Sequence, residues 1–230
     1  MNAPNRTAEC DWKPALYNKG AAFVYSDEYT KPVLDLLSAK PGERIVDLGC
    51  GTGELTLRIE RIVGPEGLVL GIDSNESMLE KAKANGLKNS ILCDIQDLAI
   101  PNEFKHLTGT FDAVFTNAVL HWCKRDPRGV VRGAKALLKP GGRFIGDFGG
   151  YMAALVEHIS LNPSINTLPG SMIDFLRSVF RVSYLKHVDD DEAEDIIQEM
   201  SRVCEFDHKD ETGTWGFMAV RIRFWAIAPM

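Results

Sequence analysis

The sequence predicts an α/β protein with a Rossmann-like, doubly wound sheet that is mostly parallel and ends in an antiparallel C-terminal strand. Three features support this prediction. Short apolar segments alternate with helical patterns between residues 43 and 147, a glycine-rich turn follows the first of these segments, and a long strand-like run lies near the C-terminus. Strands separated by helices form βαβ units, whose right-handed crossovers build a parallel sheet.

The elements follow one another in a regular order. Residues 1–26 form an arm rich in aromatic side chains, and a first helix over residues 26–38 ends at a Lys-Pro-Gly sequence. The pattern then predicts strand 44–48, turn 49–53, helix 54–62, strand 68–72, helix 76–84, strands 91–93 and 111–116, helix 127–138 and strand 143–147.

The remaining third completes what we expect to be a single domain over residues 1–230, because this length fits one α/β domain better than two. Residues 43–147 would be its cofactor-binding core and residues 148–230 its C-terminal part. Within that part the sequence predicts helices at 171–180 and 190–204 and a strand at 215–228.

The composition argues against nucleic-acid and membrane partners. The formal net charge is -6, and no cluster of lysines and arginines is large enough for nucleic acid, so we expect a small-molecule substrate. No apolar run reaches the roughly 18 residues of a membrane span, and the N-terminus has no signal-peptide core, so we expect a cytoplasmic protein. The five cysteines form no CxxC pair, and we expect neither disulfides nor a metal site.

The glycine turn is the strongest local signal. Gly49, Gly51 and Gly53 lie between a predicted strand and a predicted helix, where glycines allow a sharp turn and the close approach of a ligand. The helix N-terminus behind them favours a negative group, either a pyrophosphate or a carboxylate. A dinucleotide fingerprint requires a third glycine where this chain has Glu54, which disfavours a nicotinamide cofactor.

Acidic residues follow at the ends of the first three strands. Asp47 lies in the first, Asp73 ends the second, where an acid can accept hydrogen bonds from both ribose hydroxyls, and Asp94 follows the third. Three carboxylates at one sheet edge suit a cationic, ribose-bearing ligand. S-adenosylmethionine (SAM) has an ammonium, a sulfonium and a ribose diol.

In these segments the sequence resembles the class I SAM-dependent methyltransferases. The matching pieces cover about residues 43–147 and occur in the family's order and spacing. They are VDLGCGTGE (46–54), GIDSNESML (71–79), CDIQDL (93–98), FDAVFTNAVLHW (111–122) and LKPGGRF (138–144). WKPALYNKGAAFVY and NAVLHW further resemble the trans-aconitate methyltransferase-like and fungal small-molecule methyltransferases.

The resemblance implies SAM as cofactor and a set of residues that bind it. The glycines would contact its methionine end, Asp47 would lie near its ammonium group, and Asp73 would bind the ribose. Met78 could instead be a core residue, and Asp94 a surface charge or a helix cap. The implied cofactor-binding residues are Asp47, Gly49, Gly51, Gly53, Asp73, Ser74, Met78, Asp94, Ile95 and Asn117.

Methyl transfer is an in-line displacement that mainly needs positioning, with a general base only for a protonated acceptor. His121 follows the fourth strand and is our candidate base, although it could instead orient an acceptor carboxylate or serve packing alone. Trp122 would be a wall of the acceptor site. Tyr17 and Tyr25 of the aromatic arm could cover the cleft or pack outside it.

One region departs from the family pattern. Residues 153–161 could form the sixth strand, which leaves no room for a crossover helix, or that helix itself, in which case residues 174–182 would have to form the strand although their pattern is helical. We therefore expect the chain to be shortened near Met152 relative to this family.

The expected function is that of a methyltransferase acting on a carboxylate or hydroxyl oxygen of a small molecule. The alternatives are a SAM-binding protein that transfers no methyl group, a nicotinamide-dependent oxidoreductase, and, disfavoured by the acidic balance, an enzyme that methylates protein or RNA.

Overall fold

The computed structural model describes residues 25–149, 159–167, 172–181, 185, 188–208 and 216–229. They fall into two compact units, one running through Asn166 and including the chain from Met218 onward, the other spanning Thr167 to Phe217. In the first unit the helices are α1 (Asp27–Leu37), α2 (Glu54–Val63), α3 (Glu76–Ala84) and α4 (Pro127–Leu137). The second has α5 (Met172–Phe175), a π-helical turn (Leu176–Phe180) and α6 (Asp190–His208).

Seven strands form one sheet in the order β3-β2-β1-β4-β5-β7-β6. Their bounds are β1 (Arg44–Leu48), β2 (Leu68–Asp73), β3 (Ser90–Leu92), β4 (Phe111–Asn117), β5 (Leu138–Gly149), β6 (Ile159–Thr167) and β7 (Gly216–Ile227). Strands β1 to β5 pair in parallel, and β7 pairs antiparallel with β5. The predicted fold class is thereby confirmed.

The strand order places a crevice at the middle of the sheet. From β1 the chain continues outward through β2 and β3 and then returns to β4 on the other side of β1. Ligands of open α/β sheets bind at such a reversal, outside the carboxyl ends of the strands. The glycine turn and the ends of β2 and β4 lie at this edge.

The sheet is buried on both faces, and the alternation of side chains along β1 shows which face each position belongs to. Val46 and Leu48 join one apolar cluster, whereas Ile45 joins the cluster on the opposite face with residues of α1 and α2. Because side chains alternate along a strand, Asp47 lies on the same face as Ile45.

The structure differs from some of the predicted element boundaries, and strand pairing gives the reason. The fifth strand begins at Leu138 and not at 143, because Leu138 pairs with Phe111 ahead of a register shift in β4. Residues 159–167 form β6, so the end of the 153–161 segment is a strand and not a helix, while residues 150–158 lie outside the described part of the chain. None of the described helices is both long and apolar enough to cross a membrane.

Candidate cofactor-binding site

The turn after β1 is built from three glycines in the left-handed region. Their φ angles are +80° at Gly49, +54° at Gly51 and +85° at Gly53, a conformation that side-chain-bearing residues rarely adopt. A Cβ on Gly49 would lie 2.3 Å from Cγ2 of Val119, and one on Gly53 would lie 3.2 Å from the Cβ of Ala82. The turn is therefore pressed against the β4–α4 connection on one side and against α3 on the other.

Hydrogen bonds fix this turn to the end of β2. The amides of Gly49 and Cys50 both donate to the carbonyl of Ile72, at 2.7 and 3.1 Å. The Gly51 amide donates to Oδ2 of Asp73 at 2.9 Å, and Asn75 donates its amide to Oδ1 of the same carboxylate at 2.9 Å. These amides hold the shape of the turn, so a ligand would meet the remaining acceptor capacity of Asp73.

Asp47 lies beneath the turn and is almost fully buried, with 3% of its surface exposed. Its Oδ2 accepts a hydrogen bond of 2.6 Å from the hydroxyl of Thr56 in α2. Burial raises the pKa of the Asp47 carboxyl to about 7, since the Thr56 hydrogen bond only partly offsets it and the charge of Asp73 adds to the rise. Burial also raises the pKa of Asp73, against the hydrogen bonds that it accepts from backbone amides.

These two acids lack a cation in the described part of the chain. The donors to Asp47 and Asp73 are a hydroxyl and backbone amides, and no lysine or arginine among the described residues forms an ion pair with either. Buried carboxylates are stable when a positive charge accompanies them. The donor set therefore fits a ligand that brings an ammonium and hydroxyl groups.

The residues predicted for the adenosine lie on the β2 and β3 side. Ser74 is exposed, and its amide also bonds to Asp73. Met78 is buried in α3, whose N-cap Asn75 accepts the Met78 amide at 3.0 Å. Ile95 is buried in the large apolar cluster.

Asp94, the acid predicted at the adenine edge, has partners of its own. Its Oδ1 accepts the Gln96 amide at 2.8 Å and caps the 3-10 helix Ile95–Asp97. Its Oδ2 lies 3.0 Å from Nη2 of Arg125, whose side chain is more than half exposed. Asp94 thus caps a helix, one of the two alternatives to an adenine contact, and lies at the predicted edge of the site.

Asn117 ends β4 at the same sheet edge and is 9% exposed. Ala118 follows it in the left-handed region, with φ +58°, and its amide donates to the carbonyl of Asp147 at 2.7 Å. A non-glycine residue in this conformation is strained, and such residues cluster at functional sites.

His121 and Trp122 lie in the 3-10 helix Leu120–Trp122 that follows, with ring centroids 4.5 Å apart. Burial, together with the nearby charge of Lys124, lowers the pKa of His121 to about 4. The imidazole is therefore neutral at pH 7 and keeps a nitrogen lone pair that can accept a proton or a hydrogen bond.

Of the two tyrosines predicted to cover the cleft, the structure describes one. A Cβ built on Gly51 would lie 3.6 Å from the hydroxyl of Tyr25, so this side chain extends over the glycine turn. The Arg58 guanidinium donates to the Tyr25 carbonyl at 3.4 Å and to the Thr30 hydroxyl at 3.0 Å, which links the start of α1 to α2. Tyr17 lies outside the described residues.

Sequence reasoning missed a buried ion pair beside Asn117. Asn117, Asp147 and Arg223 are in register across β4, β5 and β7. Asp147 is fully buried, and Nε and Nη2 of Arg223 both lie 2.8 Å from its Oδ2. Burial raises the pKa of Asp147 to about 6 although Arg223 lowers it. The signal available in the sequence was an acid, Asp147, in one apolar strand and an arginine, Arg223, in another.

Within the described ranges no group of three or more histidines, cysteines, aspartates or glutamates is arranged to hold a metal ion.

The chain is similar in sequence to a known protein family and to individual known proteins. Residues 39–206 match the family model described as a methyltransferase domain. The chain is 32% identical over 148 residues to an uncharacterised methyltransferase of Schizosaccharomyces pombe, covering 61% of this chain and 52% of that protein. It is 36% identical over 136 residues to trans-aconitate 2-methyltransferase of Deinococcus radiodurans, covering 57% and 46%. The chain thus spans about half the length of these relatives.

A solved structure extends the comparison to the fold. The 4+2 cyclase SpnF superimposes with a TM-score of 0.52 and 18% sequence identity, over 89% of this chain and 81% of that one. Identity this low shows a shared fold alone, and the name of that protein shows that the fold is not restricted to one chemistry.

Proposed function

The chain belongs to the SAM-dependent methyltransferase family, and we propose that it transfers the methyl group of SAM to an oxygen of a small-molecule acceptor. The observation that carries this proposal is the pair of acids beneath and beside the glycine turn. Asp47 and Asp73 are partly or fully buried, lie close enough to raise the pKa of Asp47, and accept hydrogen bonds from neutral donors.

The residues of the site fit this cofactor. The ammonium group would complement Asp47, and a ribose hydroxyl would donate to Asp73, whose two oxygens retain acceptor capacity beyond the amides of Gly51, Ser74 and Asn75. The bound cofactor supplies an electrophilic methyl group on a sulfonium. Tyr25 lies over the glycine turn and would help to exclude water from the methionine end.

On the acceptor side, the protein's task is to hold a nucleophile and, where needed, to remove its proton. His121 has a neutral imidazole at pH 7, which can accept a hydrogen bond or a proton from the acceptor. Its low pKa makes it a weak base, so orienting an acceptor suits it better than removing a proton. A hydroxyl acceptor would donate its proton to His121 as the oxygen attacks. A carboxylate acceptor is already ionised, and His121 would then orient it without accepting a proton.

The acceptor class is supported by charge and by a relative. The net charge of -6 disfavours a polyanion such as RNA. The name of the trans-aconitate 2-methyltransferase relative denotes a small organic acid as its acceptor, which favours a carboxylate oxygen here.

A transfer assay with methyl-labelled SAM tests the proposal. Purified protein would be incubated with a panel of small carboxylic acids, phenols and alcohols, and labelled product would be separated from SAM. We expect label in one of these classes. Label found in added RNA or protein substrates and in none of the small molecules would contradict the proposed acceptor class.

A second candidate is a SAM-binding protein that transfers no methyl group. The observation that favours it concerns the candidate base: burial lowers the pKa of His121 to about 4, which makes it a weak base for a hydroxyl acceptor. The two candidates differ in one result, since saturable SAM binding without turnover on any acceptor class favours the second.

A further inference from the structure

We propose that Gln96 is a positioning residue that couples the adenine side of the cofactor site to the segment carrying His121 and Trp122. The inference rests on the proposed function, because it concerns the same cofactor. Gln96 lies in the 3-10 helix after β3, next to Ile95 and two residues from Asp94.

The side chain of Gln96 fastens two adjacent backbone amides. Its Oε1 accepts the amide of Arg125 at 2.9 Å and that of Asp126 at 3.0 Å. These amides belong to the turn that leaves the 3-10 helix Leu120–Trp122, so one side chain holds the exit of the segment that carries His121.

The backbone of Gln96 forms a second connection. A Cβ on Gly129 would lie 1.9 Å from the Gln96 carbonyl oxygen, so the first turn of α4 approaches Gln96 as closely as only glycine allows. Asp126 caps that turn by accepting the Gly129 amide at 3.0 Å. The start of α4 is thus fixed both by its contact with the Gln96 carbonyl and by the Asp126 cap.

Asp94 provides a third connection, and it reaches the predicted adenine edge directly. Its Oδ1 accepts the Gln96 amide, and its Oδ2 pairs with Arg125 at 3.0 Å. Ile95 and Cys123 are buried in the same apolar cluster. A ligand that contacts Asp94 or Ile95 therefore contacts residues that are fastened to the turn behind His121.

A ligand bound at the adenine edge would therefore change the position of His121. A small shift of residues 94–96 would move the two amides held by Gln96, and with them the end of the 3-10 helix. A misplacement of about 1 Å can cost on the order of a hundredfold in rate. Gln96 would therefore affect turnover without contacting the acceptor.

The test uses the full chain with histidines labelled by ¹⁵N and S-adenosylhomocysteine (SAH) as the probe. His121→Asn assigns the His121 ring signals in the NMR spectrum. In the unaltered protein we expect SAH to shift these signals. Gln96→Met keeps the length of the side chain but removes the acceptor, and it should reduce the shift while calorimetry shows SAH affinity within a few-fold of normal. Gln96→Glu keeps acceptor oxygens but replaces the side-chain amide that donates to Asp94 at 3.4 Å with a carboxylate, so it should restore the shift only in part.

Two further variants serve as a control and as a substitute test. Gln198→Ala removes a glutamine of the other compact unit, whose side chain bonds to Glu194, and should leave the response unchanged. If Gln96→Met fails to fold, Arg125→Gln removes the ion pair with Asp94, which fastens the same turn at an exposed side chain, and should reduce the shift.

The outcomes separate this inference from the proposed function. SAH binding without any shift at His121, or an equal shift in the Gln96→Met protein, overturns the role of Gln96 and leaves the methyltransferase proposal standing. An absence of SAH binding overturns both.

Discussion

The Gly51 amide donates a 2.9 Å hydrogen bond to Oδ2 of Asp73, joining the turn after the first strand to the end of the second. A single carboxylate thus shapes the glycine turn and offers its remaining acceptor capacity to a ligand. This dual role means that the cofactor site and the local fold depend on the same residue.

Asp73→Ala should weaken SAH binding by about tenfold or more, since a hydrogen bond to a charged group contributes about 1.5–3 kcal/mol. Asp73→Asn keeps one carbonyl oxygen and should have an intermediate effect. The matched control is Asp112→Ala in β4, which removes an acid that also accepts a backbone amide, that of Arg44 at 2.7 Å. Titration calorimetry measures all three, and equal affinities for the Asp73 and Asp112 variants would refute the assigned ribose role.

Gly51→Ala should impair SAH binding more than it impairs folding. Among the described residues, the added methyl meets only the Tyr25 hydroxyl within 4 Å, at 3.6 Å, and would fill space over the turn. Gly42→Ala is the control, because Gly42 has a φ of +81° and therefore the same kind of backbone strain, and no described atom lies within 4 Å of the added methyl. Each change should cost about 1 kcal/mol in thermal unfolding, whereas loss of SAH affinity should be confined to Gly51→Ala.

Asp47 should make cofactor binding depend on pH. A bound ammonium would lower the pKa of its carboxyl from about 7, so binding would release a proton below pH 7 and affinity would fall as pH falls. The decrease approaches tenfold per pH unit for a single coupled group. Calorimetry of SAH at pH 6 in buffers of different ionisation enthalpy measures the released proton, and a binding heat that is the same in every buffer would exclude this linkage.

The Asp47 carboxyl should also make the stability of the unliganded protein depend on pH. The folded-state pKa of Asp47 is raised, so its contribution favours the folded state at low pH and is lost as pH rises through about 7. Asp47→Asn keeps an acceptor for the Thr56 hydroxyl and removes the charge. The Asn variant should therefore gain stability relative to the unaltered protein between about pH 4 and 7, by about 1–4 kcal/mol. Denaturant unfolding at several pH values tests the sign.

His121→Asn should reduce turnover of a hydroxyl acceptor while leaving SAH affinity nearly intact. Because the pKa of His121 is lowered to about 4, activity at saturating SAM should persist below pH 6 and decline only as the pH approaches 4. A rate profile with buffers from pH 4 to 8 measures this limb. Unchanged turnover in the variant would leave His121 with a packing role only.

The acids at the carboxyl ends of the strands could be predicted because each lies at or just after the end of a short apolar strand, and parallel strands bring these ends to one edge of the sheet. Asp47, Asp73 and Asp94 all lie where that pattern indicates. The glycine turn was equally accessible, because left-handed backbone before a helix calls for glycine.

Their partners could not be predicted, because pairing depends on the three-dimensional arrangement. Arg223 reaches Asp147 from 76 positions along the chain, and Gln96 reaches the amide of Arg125 from 29. Neither distance leaves a periodic signal in the sequence. The strained φ of Ala118 was likewise invisible, since alanine carries no preference for that region.

Titration of the purified chain with SAM and, separately, with NADH measures the central claim most directly. We predict saturable binding of SAM that is weakened by Asp73→Ala and unaffected by Asp112→Ala, with NADH binding weakly if at all. No detectable heat for SAM or SAH, or tighter binding of NADH, would contradict the assignment of the glycine turn and its two acids to this cofactor.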